Sequence, residues 1–404
     1  WDQSVADNCG TFFAVDVAQD GCDSNYNAGS GAIAPLQGIA AEQGLGFDVT
    51  SEGVVLPRAG DRDARDSGQF GLALRWLGDA TEYGFYFMNY HSRTPILSTG
   101  TASGILAAAG AAAGNGGIVP GVESAVCGQL GLAPGCSLTT PGVADVVTET
   151  AGGLLQSAAL GNGRYYLEYP EDIRLYGMSF STTLPTGTAW SGEISYRPNA
   201  PVQINTQDVT RALLNPLSQA STGDAASPVA SAEGADNRGY NRKEITQIQT
   251  TFTHFIDQVL GAGRVTLVGE IGYVHVGGLE SKSDMRYGRD AIYGSVDDPA
   301  ALADYGWNGF VTANSWGYRL RALADYSNVF AGVNLTPNVS FSHDVDGYGP
   351  NGLFNEGSKA VSVGVDAVYQ NTYTASLSYT DFFGGDFNTL VDRDFLALSV
   401  GVNF

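Results

Sequence analysis

The chain alternates between extended segments and connections that are by turns short and long. Eleven segments have this character: residues 69–77, 83–91, 174–184, 189–196, 245–257, 264–276, 316–327, 333–344, 359–370, 373–383 and 395–404. Short turns such as Asn371-Thr372 join the two segments of one hairpin, and long loops such as residues 277–315 separate successive hairpins. Bacterial outer-membrane barrels have short turns at one membrane surface and long loops at the other. A soluble β-sandwich has no reason to keep this order over so many hairpins.

The last segment shows the two-faced pattern most clearly. Its apolar face consists of Leu396, Leu398, Val400, Val402 and Phe404. Its other face carries small or polar residues, among them Ser399 and Asn403. Because successive side chains of a strand point to opposite faces, the apolar set is expected to face lipid and the other set the interior.

Charged residues of the other segments lie opposite the aliphatic ones. Six of them are predicted to face a polar lumen: Arg75, Arg264, Glu270, Arg319, Arg321 and Asp325. A charge on the lipid face at the middle of the bilayer costs about 2–4 kcal/mol, so these positions fit the lumen side of a barrel.

Composition narrows the classes of protein. The 42 acidic and 20 basic residues give a net charge of −22, which argues against nucleic acid as a partner. No apolar run approaches the roughly 20 residues of a membrane helix. We therefore predict an all-β fold for residues 1–404: a single transmembrane, antiparallel, up-and-down β-barrel of the bacterial outer membrane, with at least about 12 strands.

Residues 92–172 are too long for a turn and poor in charge. We expect an external loop with short helices, or a plug inside the barrel; a small surface domain is the alternative. The apolar candidates for a plug or pocket are Ile105, Leu106, Val146, Val147, Leu154 and Leu155. Residues 164–169 have the composition of a strand, but a spanning strand there would break the up-and-down parity, so we keep them in the loop.

Several stretches resemble one known family. They are residues 64–71, 84–92, 265–272, 315–322, 325–335, 342–347, 354–357 and 393–399. They are similar to the proteobacterial outer-membrane "domain of unknown function 1302" family, from about Arg62 to the carboxy terminus. The resemblance implies a barrel in the broad company of fatty-acid and hydrophobic-compound channels. Members usually have more strands ahead of the matching part, so this chain is expected to lack the family's amino-terminal strands.

Three functions fit the predicted fold. The first is a channel for the uptake or export of hydrophobic or amphipathic small molecules resembling fatty acids, sterols or hydrocarbons; the charge-poor segment 92–172 favours it. The second is a general diffusion porin, and the third is a structural or surface-interaction barrel. The expected partners are outer-membrane lipid and lipopolysaccharide, a lipophilic cargo and, by the resemblance, an inner-membrane lipid transporter system.

No catalytic function is expected. The family has no established catalytic residues to carry over, and none of the four histidines forms the Ser–His arrangement that a lipase needs. No cofactor is expected, although oxygen-rich loops can bind calcium. Asp344 and Asp346, in a glycine-rich stretch, are the weak candidate ligands; solvated acidic loops are commoner than calcium sites.

The four cysteines are predicted to form two local disulfides, Cys9–Cys22 and Cys127–Cys136. Both pairs lie in stretches rich in Gly, Asp and Ser, and no histidine stands near them to complete a zinc site. Each short loop closed by a disulfide contributes about 3 kcal/mol in the chain-entropy model. Peptide mapping without reduction should recover both linked pairs; free thiols, or a crossed pair such as Cys9–Cys127, would reject the assignment.

Overall fold

The computed structural model of the protein describes residues 24–26, 47, 54–107, 109 and 143–403, and only the backbone of residues 24–26 and 143–151. The described residues are mostly antiparallel β-structure. The chain forms two compact units. Unit 1 comprises residues 1–64, 92–170 and 203–241, and unit 2 comprises residues 65–91, 171–202 and 242–404.

Sixteen strands and four α-helices are described. The strands are β1 (Ser24–Tyr26), β2 (Val54–Leu56), β3 (Phe70–Leu77), β4 (Thr81–Tyr90), β5 (Ile96–Gly100), β6 (Arg164–Glu168), β7 (Ile173–Thr183), β8 (Ala189–Gln203), β9 (Asp236–Asn237), β10 (Tyr240–Asp257), β11 (Arg264–Gly277), β12 (Asn314–Phe330), β13 (Val333–Asp346), β14 (Lys359–Tyr369), β15 (Tyr373–Phe383) and β16 (Phe395–Val402). The helices are α1 (Val143–Gly161), α2 (Thr206–Arg211), α3 (Asn215–Thr222) and α4 (Pro299–Tyr305). Short 3-10 helices cover Ala212–Leu214, Ala291–Tyr293 and Pro350–Gly352.

Unit 2 is built on one eleven-stranded antiparallel sheet. Its strand order is β16-β15-β14-β13-β12-β11-β10-β8-β7-β4-β3, so each strand lies beside the sheet strands that precede and follow it in the chain. All eleven predicted segments are strands of this sheet, against the dozen or more that were expected. In the described part of the chain, β3 and β16 are the edge strands. No helix among the described residues is long and apolar enough to cross a membrane.

Strand β8 extends well beyond its predicted segment. The alternation predicts that β8 ends at residue 196, but it continues to Gln203 through Pro198 and Pro201. Prolines argue against a strand because they cannot donate to the ladder. Here the extension is buried, with Ala200 and Val202 almost inaccessible, and packing outweighs that local preference.

Unit 1 has its own core. Its sheets are the pair β1-β2 and the three-stranded β6-β5-β9, and helix α1 contacts β2. Every residue of the central strand β5 is buried. Its hydroxyls are hydrogen-bonded: Thr99 Oγ1 donates to the carbonyl of Val209 at 3.0 Å, and Ser98 Oγ accepts from the N–H of Gly239 at 2.8 Å. Buried polar groups of this kind need such partners to remain in a core.

The structure describes residues 92–107, 109 and 143–172 of the predicted loop or plug segment. They contain β5, the 19-residue helix α1 and β6. Strand β6 covers most of residues 164–169 and belongs to the small sheet, outside the eleven-stranded one. Strand β6 is therefore no strand of the large sheet, as the up-and-down parity predicted.

One carboxylate of unit 1 joins two arginines. Asp236 accepts hydrogen bonds from the guanidinium groups of Arg62 and Arg164, the latter at 2.7 Å. The hydrogen bond from Arg62 is the main reason that the pKa of Asp236 lies below its ordinary value. Arg62 also lies 4.0 Å from the ring centroid of Tyr166, whose burial raises its pKa to about 12.

A polar network ties strand ends together in unit 2. Arg65 pairs with Glu171 and, at 2.7 Å, with Asp172. Asn89 donates to the Asp172 carboxylate at 3.0 Å. The backbone N–H of Asp172 donates to His91 Nδ1 at 3.0 Å, so the proton of the neutral imidazole is on Nε2. The network thereby links the carboxy-terminal end of β4 to the start of β7.

We expect this network to weaken in acid. Hydrogen bonds from Asn89 and then Arg65 hold the pKa of Asp172 below its ordinary 3.8. A carboxyl group with a depressed folded-state pKa contributes stability above its ordinary pKa, and loses it as the pH falls through the depressed value. Hydrogen exchange of residues 65–68 and 171–174, corrected for intrinsic rates, should therefore rise below pH 3.8.

The matched variants are Asp172→Asn and Asp66→Asn. Asp66 is exposed and accepts no side-chain hydrogen bond from the described residues. Asp172→Asn should exchange faster at neutral pH and lose the acid-dependent increase, while Asp66→Asn should behave as the unaltered protein. An unchanged acid response in Asp172→Asn would contradict the assignment to this carboxylate.

Candidate functional site

The eleven-stranded sheet has one apolar face. Cross-strand partners point to the same side, so the register assigns every side chain to a face. One exposed residue from each strand in chain order is Leu72, Phe85, Tyr176, Ile194, Phe252, Ile271, Leu320, Val339, Val363, Leu377 and Leu398. Exposure reaches 70% for Leu72 and 72% for Leu398. Trp190 stacks on Phe252 with centroids 5.9 Å apart, which carries this face across β8 and β10.

The opposite face carries small, polar or charged residues on every strand of the sheet. The corresponding residues are Arg75, Glu82, Ser179, Glu193, Thr251, Glu270, Arg319, Ser342, Ser362, Ser378 and Ser399. Hydroxyls hydrogen-bond across neighbouring strands, Thr380 to Ser362 at 3.0 Å and Ser376 with Ser399 at 2.8 Å. This face is the candidate functional surface, and it is called the polar face below.

All six predicted lumen residues lie on the polar face. Glu270 is the direct cross-strand partner of Arg319, and Arg264 is the partner of Asp325. Neither pair forms a salt bridge within 4.0 Å, and the closest polar contacts of Arg264 and Glu270 are with other residues. Arg264 Nε donates to Asp257 at 2.9 Å, and a Glu270 carboxylate oxygen accepts from the Thr251 hydroxyl at 3.2 Å.

The three other arginines differ in their partners. Arg319 pairs with Asp344 at 2.7 Å, and Arg75 lies 3.8 Å from Glu82. Arg321 has no ion pair within the described residues. Its direct cross-strand neighbours are Val268 and Ser340, neither of which is charged. Arg321 is therefore the cation of this set that is open to an external anion.

A cavity of about 550 Å³ lies over strands β11 to β15. Its charged lining residues are Glu270, Arg319, Arg321 and Asp366. The uncharged polar lining residues are Asn338, Ser340, Ser342, Ser362, Ser376, Ser378 and Thr380. All of them belong to unit 2. The cavity offers two guanidinium groups, two carboxylates and many hydroxyls, a surface suited to polar groups of a ligand.

Sequence reasoning did not single out Asp366 or the hydroxyl-bearing residues of the cavity. The signal was present in the alternation of residues 359–370, where Ser362, Gly364 and Asp366 occupy one face. Asn338 Nδ2 donates to Asp366 at 3.1 Å across the β13–β14 ladder. Only the register brings these residues beside Arg319 and Arg321.

The plug candidates lie in unit 1. Leu154 is 1% exposed and Ile105 is also buried, whereas Leu155 is half-buried and Leu106 is exposed. Val146 and Val147 belong to helix α1. Leu154 is thus part of the core of unit 1. This is the position expected of a residue that packs helix α1 against its own unit.

Two other predicted sites give different outcomes. Cys9, Cys22, Cys127 and Cys136 lie outside the described residues. Of the calcium candidates, Asp344 uses its two carboxylate oxygens to accept from Arg319 at 2.7 Å and from the N–H of Asn355 at 2.9 Å. Asp346 is at the end of β13. Among the described residues, no three or more His, Cys, Asp or Glu side chains are grouped to hold a metal ion.

Comparison with known proteins gives one family. The family described as "Protein of unknown function (DUF1302)" matches residues 1–404. The match adds the residues ahead of Arg62, where the resemblance in the sequence begins. A search of the curated proteins finds no match. Because the family match covers all 404 residues, the chain belongs to the DUF1302 family.

Proposed function

We propose that the protein is an outer-membrane β-barrel channel for hydrophobic or amphipathic small molecules, of the kind represented by fatty acids, sterols or hydrocarbons. The observation that carries the proposal is the apolar face that runs over all eleven strands of the sheet. Burying apolar area is favourable by roughly 25 cal/mol per Å², so a continuous face of this kind is costly in water. Contact with lipid hydrocarbon removes that cost.

The aromatic residues support a membrane setting. Near the short turns, the apolar face carries Trp76, Tyr83, Trp190, Tyr326, Tyr369 and Tyr373. Trp76 and Tyr83 stack with centroids 5.4 Å apart, and Tyr369 and Tyr373 with centroids 6.2 Å apart. Near the long loops, the same face carries Tyr176, Tyr196, Tyr273 and Trp316. Two aromatic bands at the ends of the strands match the interfacial girdles of membrane barrels.

The polar face supports transport. In the proposed barrel it lines the lumen, and the cavity over β11–β15 places charged and hydroxyl groups on the path of a solute. These groups suit the polar end of an amphipathic cargo. The proposed transport needs no cofactor and no catalytic residue. Its partners would be outer-membrane lipid, lipopolysaccharide and the cargo, together with an inner-membrane lipid transporter system as supplier or receiver.

A general diffusion porin is the second candidate. The observation that favours it is the number of serine and threonine hydroxyls on the polar face, which would hydrate a water-filled pore. A small polar solute would pass along such a surface without a binding site for an apolar tail.

The membrane orientation of the sheet predicts opposite results for two neighbouring substitutions. Val363 lies on the apolar face at the middle of β14, and Ser362 lies on the polar face beside it. Val363→Arg should lower the free energy of unfolding in lipid vesicles by about 2–4 kcal/mol, because the arginine would meet lipid near the midplane. Ser362→Arg should change it much less. Urea titration of both variants in vesicles measures the difference; equal losses would argue against lipid contact at Val363.

The cargo class is tested on the intact protein reconstituted in planar bilayers and in vesicles. Single-channel conductance reports an open aqueous pore, and transfer of a fluorescent long-chain fatty acid between vesicles reports a lipophile channel. We expect low conductance with saturable transfer. Large, steady conductance without transfer would support the porin. The absence of both conductance and transfer would support a structural or surface-interaction barrel.

A further inference from the structure

The polar face contains a small apolar strip beside Arg321. Val268 is the direct partner of Arg321 on β11, and Leu323 follows Arg321 by two residues on the same face of β12. One row further from the long loops, Phe255 of β10 and Leu323 lie on either side of Thr266. Arg321 and Val268 lie in one row of the sheet, and Leu323 and Phe255 lie in the next row on the same face. The two rows are about 7 Å apart along the strands.

The strip is accessible and has defined ends. Phe255 is 46% exposed although it points to the polar side of the sheet. Beyond it, the Arg264 guanidinium lies 5.2 Å from the Phe255 ring centroid and is neutralised by Asp257. At the other end stands Arg321, with Ser340 opposite it on β13. The surface thus begins at Arg321, which has no ion-pair partner among the described residues, continues over apolar side chains, and ends at the Arg264–Asp257 ion pair.

From this arrangement we infer that Arg321, Ser340 and the strip Phe255–Val268–Leu323 form a binding site for an amphipathic monocarboxylate. The inference rests on the proposed function, and it names the cargo's head group. The carboxylate accepts hydrogen bonds from the Arg321 guanidinium and the Ser340 hydroxyl, and the first carbons of the tail cover Val268, Leu323 and Phe255. Arginine matches a carboxylate with its planar fork, and the apolar strip removes tail surface from water.

The neighbouring carboxylates set the charge that the site accepts. Glu270 and Asp366 also line the cavity. Each accepts a hydrogen bond from an uncharged side chain, Thr251 for Glu270 and Asn338 for Asp366, and neither carboxyl group forms an ion pair with a described residue. A head group with two negative charges would be repelled more strongly than one with a single charge. The site therefore favours a carboxylate over a phosphate monoester.

The experiment is photolabelling of the full chain in lipid nanodiscs. The probe is a long-chain fatty acid with a diazirine near its carboxylate, and adducts are located by peptide mass spectrometry. We expect adducts within residues 253–268 and 321–340. Arg321→Gln should reduce them about tenfold or more, as the loss of a charge-assisted hydrogen bond implies. Arg321→Lys should retain part of the labelling, because lysine keeps the positive charge but lacks the two parallel N–H donors of the guanidinium group.

The controls separate charge from packing. The exposed loop residue Arg393 gives the matched variant Arg393→Gln, which should label like the unaltered protein. The methyl ester of the probe should label the unaltered protein as weakly as the acid labels Arg321→Gln, and an alkyl phosphate should compete less than an alkyl carboxylate. Val268→Ser and Leu323→Ser should lower labelling while Arg321 remains, and retained heat-modifiable gel mobility verifies that each variant is folded.

Three results would overturn the inference in different ways. If fatty acid transfer occurs but Arg321→Gln labels as strongly as the unaltered protein, the site is wrong and the proposed function stands. If the unaltered protein gives steady conductance, with neither transfer nor labelling on these strands, the proposed function fails together with the site. Equal labelling by the acid and its methyl ester would also reject the carboxylate as the recognised group.

Discussion

The continuous hydrogen-bonded register of the eleven-stranded sheet is the constraint on which the rest of unit 2 depends. A shift of one residue between two strands would exchange their apolar and polar faces, because side chains alternate with a period of two. The ladders from β10 to β16 instead keep Arg319 opposite Glu270 and Leu320 opposite Phe341. The two chemically different faces, the cavity and the neighbourhood of Arg321 all follow from that alignment.

The sequence predicts the large sheet well because its signal is local. Alternation and turn residues recur in each segment, and the strand Tyr373–Phe383 begins and ends where the pattern predicts. The six charged residues could be assigned to one face for the same reason. The sequence of a single strand does not indicate which residues of other strands lie beside it. The proximity of Asp366 to Asn338, or of Phe255 to Leu323, depends on pairing between segments and could not be derived from alternation alone.

Unit 1 shows where local patterns fail. Strand β5 is buried on both faces, so it has no alternation to recognise, and the hydrogen-bond partners of its hydroxyl groups lie 70 or more positions away in the chain. The helix α1 was expected only as short helices in a loop, and Leu154 as a surface for a ligand. Its burial in the core of unit 1 depends on segments from three parts of the chain. The disulfide assignment remains a prediction from spacing.

The strand count of the large sheet has a geometric consequence at its edges. In an antiparallel sheet, direction reverses at every step, so the first and eleventh strands point the same way. Strands β3 and β16 both run from the long-loop end towards the short-turn end. A cylinder closed from these eleven strands alone would therefore contain one parallel ladder at its seam. A single additional strand between the two edges would be antiparallel to both and would restore an even number, so the direction of the seam can be read directly from a density map.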